Sequence, residues 1–216
     1  MPADLTVLVP RKDTTDEYRN LVQAACTRHT APVATGTDQS GRDLWSFSRS
    51  VNDARRQAHT TKLLIAPGDY LLTQAHIAAT SAALDERPWW GPFHSVHQLD
   101  QASTNLVLGG ATPHPDMPGL LLGFCVPCIA VRADVFDDVG GMDPRFEGWG
   151  PEDAALRLKL HALYGDPEAP TSTVYELAAP RFGTPNRAQN TQLYVDRYVP
   201  ASTPETMRAL IAEQNG

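Results

Sequence analysis

Three cysteines in 216 residues, Cys26, Cys125 and Cys128, are too few, and odd in number, for a disulfide framework. Cys125 and Cys128 have redox-motif spacing, but no second pair exists to complete a zinc site, so both read as small buried hydrophobes on a core strand. No GxxxxGKS/T and no GxGxxG is present, which leaves ATPase and dinucleotide chemistry without motif support. Lysine is scarce: only Lys12, Lys62 and Lys159 among 18 basic residues, against 25 acidic ones, for a formal charge of −7 and no block of like charge. A nucleic-acid backbone is therefore a disfavoured partner, although a local basic groove can exist on an acidic protein. The longest apolar stretch, Gly119 to Val131, is interrupted by Pro127 and falls short of the roughly 20 residues that cross a bilayer. The N-terminus has no basic segment leading into an apolar run, so a soluble, untargeted, cytoplasmic protein is expected.

What is present is globular. Hydrophobic residues make up 42% and charged residues 20%, and the length suits one domain with a sizeable core. Residues Leu5–Val9 alternate around β-branched positions and stop at Pro10, a first strand. Thr14 and Glu17 have capping-box spacing, and Tyr18, Leu21, Val22 and Ala25 predict an amphipathic helix behind them. A second helix is expected over 44–58, with Phe47, Val51, Ala54 and Ala58 on one face and Arg49, Asn52, Arg55 and Arg56 elsewhere. Leu63–Ala66 reads as a buried strand ended by Pro67-Gly68, the kind of strand end at which α/β folds place ligands. A helix over 73–84 follows.

From Pro88 to Gly119 the chain is rich in Pro, Gly, His and Trp and shows one strand-like run, Asn105–Leu108, which predicts a substrate-facing loop. His94 and His97 have no carboxylate or cysteine at a defined offset and read as ordinary loop histidines. The adjacent indoles of Trp89 and Trp90 suit either carbohydrate or base stacking or the anchoring of this loop in the core. A core strand over 126–131, a short helix over 133–139, a strand over 173–177, a Pro/Gly loop and a C-terminal helix from Pro204 are expected in the rest of the chain.

The chemistry concentrates between Gly140 and Asp153. Gly148 and Gly150 allow close approach of backbone to a ligand, Trp149 offers a flat apolar face, and Glu152 and Asp153 fall on the first turn of a helix opened by Pro151, striped by Leu156, Leu160 and Leu163, and ended by Gly165. A sugar hydroxyl stacked there would have a carboxylate within reach. The run Gly140-Gly-Met-Asp-Pro-Arg-Phe-Glu-Gly-Trp-Gly-Pro-Glu-Asp153 resembles the GG(F/M)DxxFxGWGxED motif of GT-A glycosyltransferases of the galactosyltransferase and chondroitin-polymerase type, with looser similarity from Val7 to Asn190.

The resemblance implies an α/β, Rossmann-like nucleotide-diphospho-sugar transferase fold: a single domain over 1–216 with a mixed, mostly parallel central sheet and a C-terminal lid or tail from about 178. It implies transfer of a sugar from a nucleotide donor, most commonly a UDP-sugar, to an acceptor hydroxyl of a glycan, a protein or a modified nucleobase, with inversion. By similarity Asp153 is the catalytic base and Glu152 holds sugar hydroxyls. Gly148, Trp149 and Gly150 line the sugar and acceptor site. Pro10, Arg11 and Asp13 contact the nucleotide, as do Arg49 and Asn52 on the helix before Asp69. The small size and Arg-rich basic set are compatible with a bacterial or bacteriophage source.

Two departures qualify the likeness. The Asp-x-Asp expected at the end of a buried strand is Pro67-Gly68-Asp69, leaving Asp69 as the surviving candidate for nucleotide and metal, and the late histidine expected as a further metal ligand is Ala179. A leaving diphosphate needs a divalent cation (Mn or Mg) or fixed cationic donors. Arg181 and Arg187 next to the altered position, with Arg11, therefore suggest a metal-independent or weakly metal-dependent site. The same losses also suit a catalytically silent nucleotide-sugar or glycan-binding protein.

Overall fold

A computed structural model describes residues 4–12, 20, 22–23, 25, 28–123, 127–167, 172–179 and 183–214. The expected capping box at Thr14 and Glu17 lies outside these residues. Strand β1 (Leu5–Arg11) is buried from Leu5 to Pro10 because both faces of its sheet are covered, which is why its sequence is almost uninterruptedly apolar. It pairs in parallel with β2 (Val33–Thr37) and with β3 (Lys62–Ile65). Helix α1 (Phe47–Gln57) makes the crossover between β2 and β3; Ser46 caps it by accepting from the Arg49 N–H, and Val51, Ala54 and Ala58 are buried as the periodicity predicts.

The central sheet has the order β2-β1-β3-β8-β5, where β5 is Trp89–Trp90 and β8 is Ile129–Arg132. Strand β8 runs antiparallel to both β3 and β5, so all the strands except β8 point the same way. A smaller sheet, β4-β9-β6-β7, is built from β4 (Tyr70–Leu71), β6 (Ser95–Leu99), β7 (Gly119–Leu122) and β9 (Thr173–Glu176). The remaining helices are α2 (Gln74–Glu86), α3 (Gln101–Leu108), α4 (Ala133–Asp138), α5 (Glu152–Tyr164), α6 (Arg187–Leu193), which runs on into a π-helical turn (Tyr194–Tyr198), and α7 (Pro204–Gln214).

The strand period of two splits the core. Leu8, Leu63, Ile65, Ile129 and Val131 face a layer made by α1, α4, α5, the π-helical turn and α7; Leu5, Val7, Val9, Leu64 and Ala130 face Ile77 and Leu84 of α2 and the smaller sheet. Tyr198, Met207, Leu210 and Ile211 belong to the first layer, so the C-terminal helices are part of the packed domain.

The Pro88–Gly119 reading needs correcting. This segment is a strand, a second strand and a helix, and Asn105–Leu108 is helical. Asp100 caps that helix by accepting the Ser103 N–H at 2.7 Å, and a capped turn outweighs the β-branched look of a four-residue run. His97 is a buried strand residue against Tyr175, ring centroids 5.5 Å apart. Cys128 is fully buried; Cys26 and Cys125 lie outside the described residues.

Candidate active site

Register gathers the site at one edge of the central sheet. Strands β1, β2, β3 and β5 all end there and β8 begins there, since Ile65 pairs with Ile129 and Trp90 with Ala130. This is the carboxyl edge, where open α/β sheets bind ligands. Arg11, Thr37, the 66–69 turn, Gly91 and Cys128 therefore come together. Helix α5 reaches the same edge through its second turn: the Arg157 guanidinium donates to the Cys128 carbonyl at 2.9 Å and sits so close to Gly91 that a Cβ there would lie 3.0 Å from Arg157 Nη1.

Glu152 and Asp153 open this helix, where the dipole favours negative charge. Glu152 Oε2 is buried without a hydrogen-bond partner. Burial, then the neighbouring Asp153 charge, pushes the Glu152 carboxyl up to about 8. Burial raises Asp153 as well, but the Ala154 N–H, which donates to Oδ1 at 2.7 Å, and the Arg157 guanidinium pull it back. At neutral pH Glu152 is thus held as a hydrogen-bond donor, and Asp153, whose ionised form the Ala154 N–H and Arg157 favour against burial, is the better proton acceptor of the two.

This arrangement makes stability depend on pH with a definite sign. A folded-state value raised from 4.5 to about 8 means that the contribution of Glu152 to stability is complete below its unfolded value and is lost as pH rises through 8. Gln cannot ionise, so Glu152→Gln should match the parent near pH 4 and be more stable by about 2–4 kcal/mol above pH 8. Chemical denaturation at the two pH values reads this directly; an equal difference at both would show that Glu152 is not held protonated.

The Gly-rich loop is held by its own chain. Gly148 adopts φ +77°, its N–H donates to the Trp45 carbonyl at 2.8 Å, and it bridges to Ser46. The Trp149 N–H donates to the Pro185 carbonyl, and the buried Asn190 amide donates to the carbonyls of Glu147 and Trp149. A Cβ at Gly148 would lie 2.5 Å from the Pro185 oxygen, and one at Gly150 2.4 Å from Asn190 Cβ. The close neighbour that requires glycine at both positions is therefore the 185–190 segment. Gly150→Ala should lower stability by about 1–3 kcal/mol through overpacking, read as a drop in the thermal midpoint. Trp149 is 47% exposed, with the Arg187 guanidinium over its ring at 4.7 Å.

Asp69 follows β3 with Oδ1 buried and unpartnered. Burial, then the charge of Glu176, pushes it up to about 7. Glu176 stands on β9 opposite Tyr70 and accepts the Gln98 amide at 2.9 Å. Sequence reasoning missed Glu176 and Arg157. The signals were available: Glu176 lies three residues before the altered Ala179, and Arg157 is four residues after Asp153, on the same helix face.

Several expected contacts are excluded by geometry. Arg49 uses all five N–H groups internally, on Asp38 Oδ1 and Oδ2, Glu147 Oε1 and the carbonyls of Pro144 and Leu44, so none remains for a phosphate. Both ends of the Asn52 amide bond the Met142 backbone. Trp89 is buried in the first core layer with its indole N–H on the Gly165 carbonyl, which makes it the anchor and not a stacking face. Trp90 is half-buried against the second layer. Pro10 and Arg11 do end β1 at the site edge; Asp13 and Arg181 lie outside the described residues.

No protein family and no curated protein matches the chain in sequence. Among solved structures, a mannosyltransferase of Pyrobaculum calidifontis, in complex with GDP-Man and Mn2+, is similar over 97% of this chain and 68% of its own, at 15% identity and a TM-score of 0.54. The fold is that of the GT-A glycosyltransferases. Weaker likenesses within that fold are Drosophila β1,4-galactosyltransferase 7 in complex with xylobiose (17% identity, TM-score 0.40, 85% of this chain and 68% of that one) and S. aureus TarS (13%, 0.45, 82% and 37%). In the GT-A fold of this chain, the mixed central sheet is the expected one, and no described helix is long and apolar enough to cross a membrane.

Proposed function

We propose that the chain is a glycosyltransferase that moves a sugar from a nucleotide-sugar donor, a UDP-sugar first among the candidates, to an acceptor hydroxyl with inversion. The observation that carries this reading is the divided carboxylate pair at the carboxyl edge of the sheet: protonated Glu152 beside Asp153, with Arg157 favouring the ionised form of Asp153. In the reaction the acceptor O–H gives its proton to Asp153, its oxygen forms the new bond to the anomeric carbon, and the bond to the nucleoside diphosphate breaks, with the electron pair leaving on the diphosphate. Glu152, as a neutral acid, donates a hydrogen bond to a sugar hydroxyl, and Trp149 supplies the apolar face against which a pyranose ring packs.

A divalent cation fits the Asp69 position. The unpartnered Oδ1 and the repulsion from Glu176 describe a pair of hard oxygen donors short of a positive charge. Among the described residues no third His, Cys, Asp or Glu joins them, so phosphate and water oxygens would complete the shell, as is usual where one or two carboxylates hold magnesium. Bound there, the ion would neutralise charge developing on the leaving diphosphate.

The test is turnover. Purified protein is incubated with UDP- and GDP-sugars, with and without Mn2+, and release of nucleoside diphosphate is measured with and without simple glycan acceptors. Release that requires Asp153 supports the enzyme. Binding of donors with no release under any condition would replace it with the silent sugar-nucleotide binder.

A further inference from the structure

The Arg187 guanidinium stands over the ring of Trp149, 4.7 Å from its centroid. Pairing with a carboxylate is the habit of cations on this surface: Arg42 and Arg49 share Glu147, Arg55 holds Asp137, Arg132 holds Asp134 and Arg208 holds Asp138. Arg187 departs from it, since no described residue forms a hydrogen bond or an ion pair with its side chain. A cation over an indole is attracted by the electrons of the ring face and not through its N–H groups, so the donors of its planar fork remain for an outside acceptor. Arg49, which spends every donor inside the protein, is the opposite case.

The place of Arg187 is set by its neighbours in the chain. It opens α6 between Pro185, whose carbonyl accepts the Trp149 N–H, and the buried Asn190, whose amide donates to the carbonyls of Glu147 and Trp149; the Asn186 amide donates to Glu147 as well, at 3.3 Å. The segment that carries the cation is therefore fastened to the loop that carries the indole, and with the cation in place Trp149 still keeps 47% of its surface in solvent. The same loop runs into the first turn of α5, where Asp153 is the proposed base, so a sugar ring packed on Trp149 would meet both a proton acceptor and a cation with spare donors. The chain has a formal charge of −7 and its proposed base is itself an acid. An acceptor bearing an anion gains nothing from that overall field and needs a local counter-charge, whereas a neutral acceptor needs none.

We propose that Arg187 makes the enzyme select an anionic acceptor: a pyranose that packs against Trp149 and carries a carboxylate or a phosphate, whose oxygens take the N–H groups of the guanidinium. The inference rests on the glycosyltransferase reading and adds to it the chemical class of the acceptor and the residue that reads it. Two parallel N–H···O bonds suit either oxyanion, because the planar fork matches both. Arg187 touches no reacting atom in this scheme. It is a specificity residue, and its effect belongs to the difference between a charged and an uncharged acceptor.

The experiment compares acceptors that share one ring and differ only at C6: methyl glucoside, methyl glucuronide and methyl glucoside 6-phosphate. Acceptor-stimulated release of nucleoside diphosphate by the full chain is measured with UDP- and GDP-sugars in the presence of Mn2+. For a charged acceptor kcat/KM should exceed that for methyl glucoside by roughly 10- to 100-fold, the equivalent of one charge-assisted pair. A lead for the glucuronide assigns a uronic acid, and a lead for the phosphate assigns a phosphorylated sugar. Arg187→Gln should collapse the ratio to within about 3-fold, and Arg187→Lys, which keeps the charge without the fork, should hold an intermediate ratio. A purely structural role would lower the rates with all the acceptors together and leave the ratio standing in Arg187→Gln, which overturns the inference. So does a parent protein that the charged acceptors stimulate no more than methyl glucoside does. Release from no donor, with or without any acceptor, is a different result and sinks the glycosyltransferase reading itself.

Discussion

Asp153→Asn should reduce sugar transfer by about 10²- to 10⁴-fold, the contribution of a positioned general base, with little or no loss of thermal stability. The substitution is isosteric, and an amide oxygen can still accept the Ala154 N–H that now bonds Oδ1. It also removes a charge that burial disfavours, so the fold has no reason to weaken. What disappears is the proton acceptor. The effect should therefore fall on kcat with donor binding preserved, because the role proposed for the Asp153 carboxylate is on the acceptor hydroxyl as it is deprotonated.

A pH profile sharpens this expectation. In the proposed mechanism the ionised form of Asp153 is the active one, and its folded value is raised, so activity should be lost on the acid side above the ordinary aspartate value. Ionisation of Glu152 through about 8 removes the donor and places a second negative charge beside the base, so activity declines again on the alkaline side. Glu152→Gln should abolish the alkaline limb and keep the acid one. Full activity in Asp153→Asn, or a profile flat across both regions, contradicts the assignment.

Arg49→Ala should destabilise the protein by about 3–5 kcal/mol, the cost of breaking a buried pair by removing one partner. Only 14% of the Arg49 side chain and 5% of the Asp38 side chain are exposed. Burial by itself pushes Asp38 up, but Arg49 and Ser40 overcome it and hold the carboxyl down at about 2. A depressed folded value means that this stabilisation is present above the unfolded value near 3.8 and is lost as pH falls toward 2; in Arg49→Ala that part of the acid dependence should vanish. Lysine should rescue little, since one ammonium cannot reproduce five donors in a planar fork. Urea unfolding at pH 7 and pH 3 measures both effects. A loss below about 1 kcal/mol would mean that the pair behaves as a surface bridge.

The two predictions divide the site into what reacts and what holds it. Arg49 ties the start of α1 to the 38–44 loop and to Pro144 and Glu147, Asn52 ties the same helix to Met142, and Asn190 clamps Glu147 and Trp149 from α6. The segment that presents Trp149, Glu152 and Asp153 is thus braced from both sides by groups that need not touch substrate. Preorganisation of this kind keeps a base within reach of a hydroxyl without reordering at the moment of reaction.

Much of this was legible in the chain itself. The strand patterns of β1 and β3, the apolar face of α1, and the helix that begins just after Pro151 and stops at Gly165 follow from local periodicity and capping, which act over a few residues. The same local rules mistook Asn105–Leu108 for a strand, because four residues cannot show a helical period, and they did not register α6 or the π-helical turn inside a Pro/Gly-flanked tail.

By itself, then, the order of residues determined the α/β architecture and the placement of adjacent carboxylates on the first turn of a helix, and it carried the resemblance of the Gly140–Asp153 run to a known motif. Tertiary structure alone decided which polar groups are spent and which are spare. Arg49 looks like a phosphate ligand until its partners, as much as 98 positions away, take every donor, and Trp89 looks like a sugar platform until its indole meets Gly165, 76 positions away. Glu176 acquires meaning only beside Asp69. The reason is physical: backbone preference is settled over a turn or a strand, whereas desolvation and hydrogen-bond saturation depend on whatever the fold brings within a few ångströms.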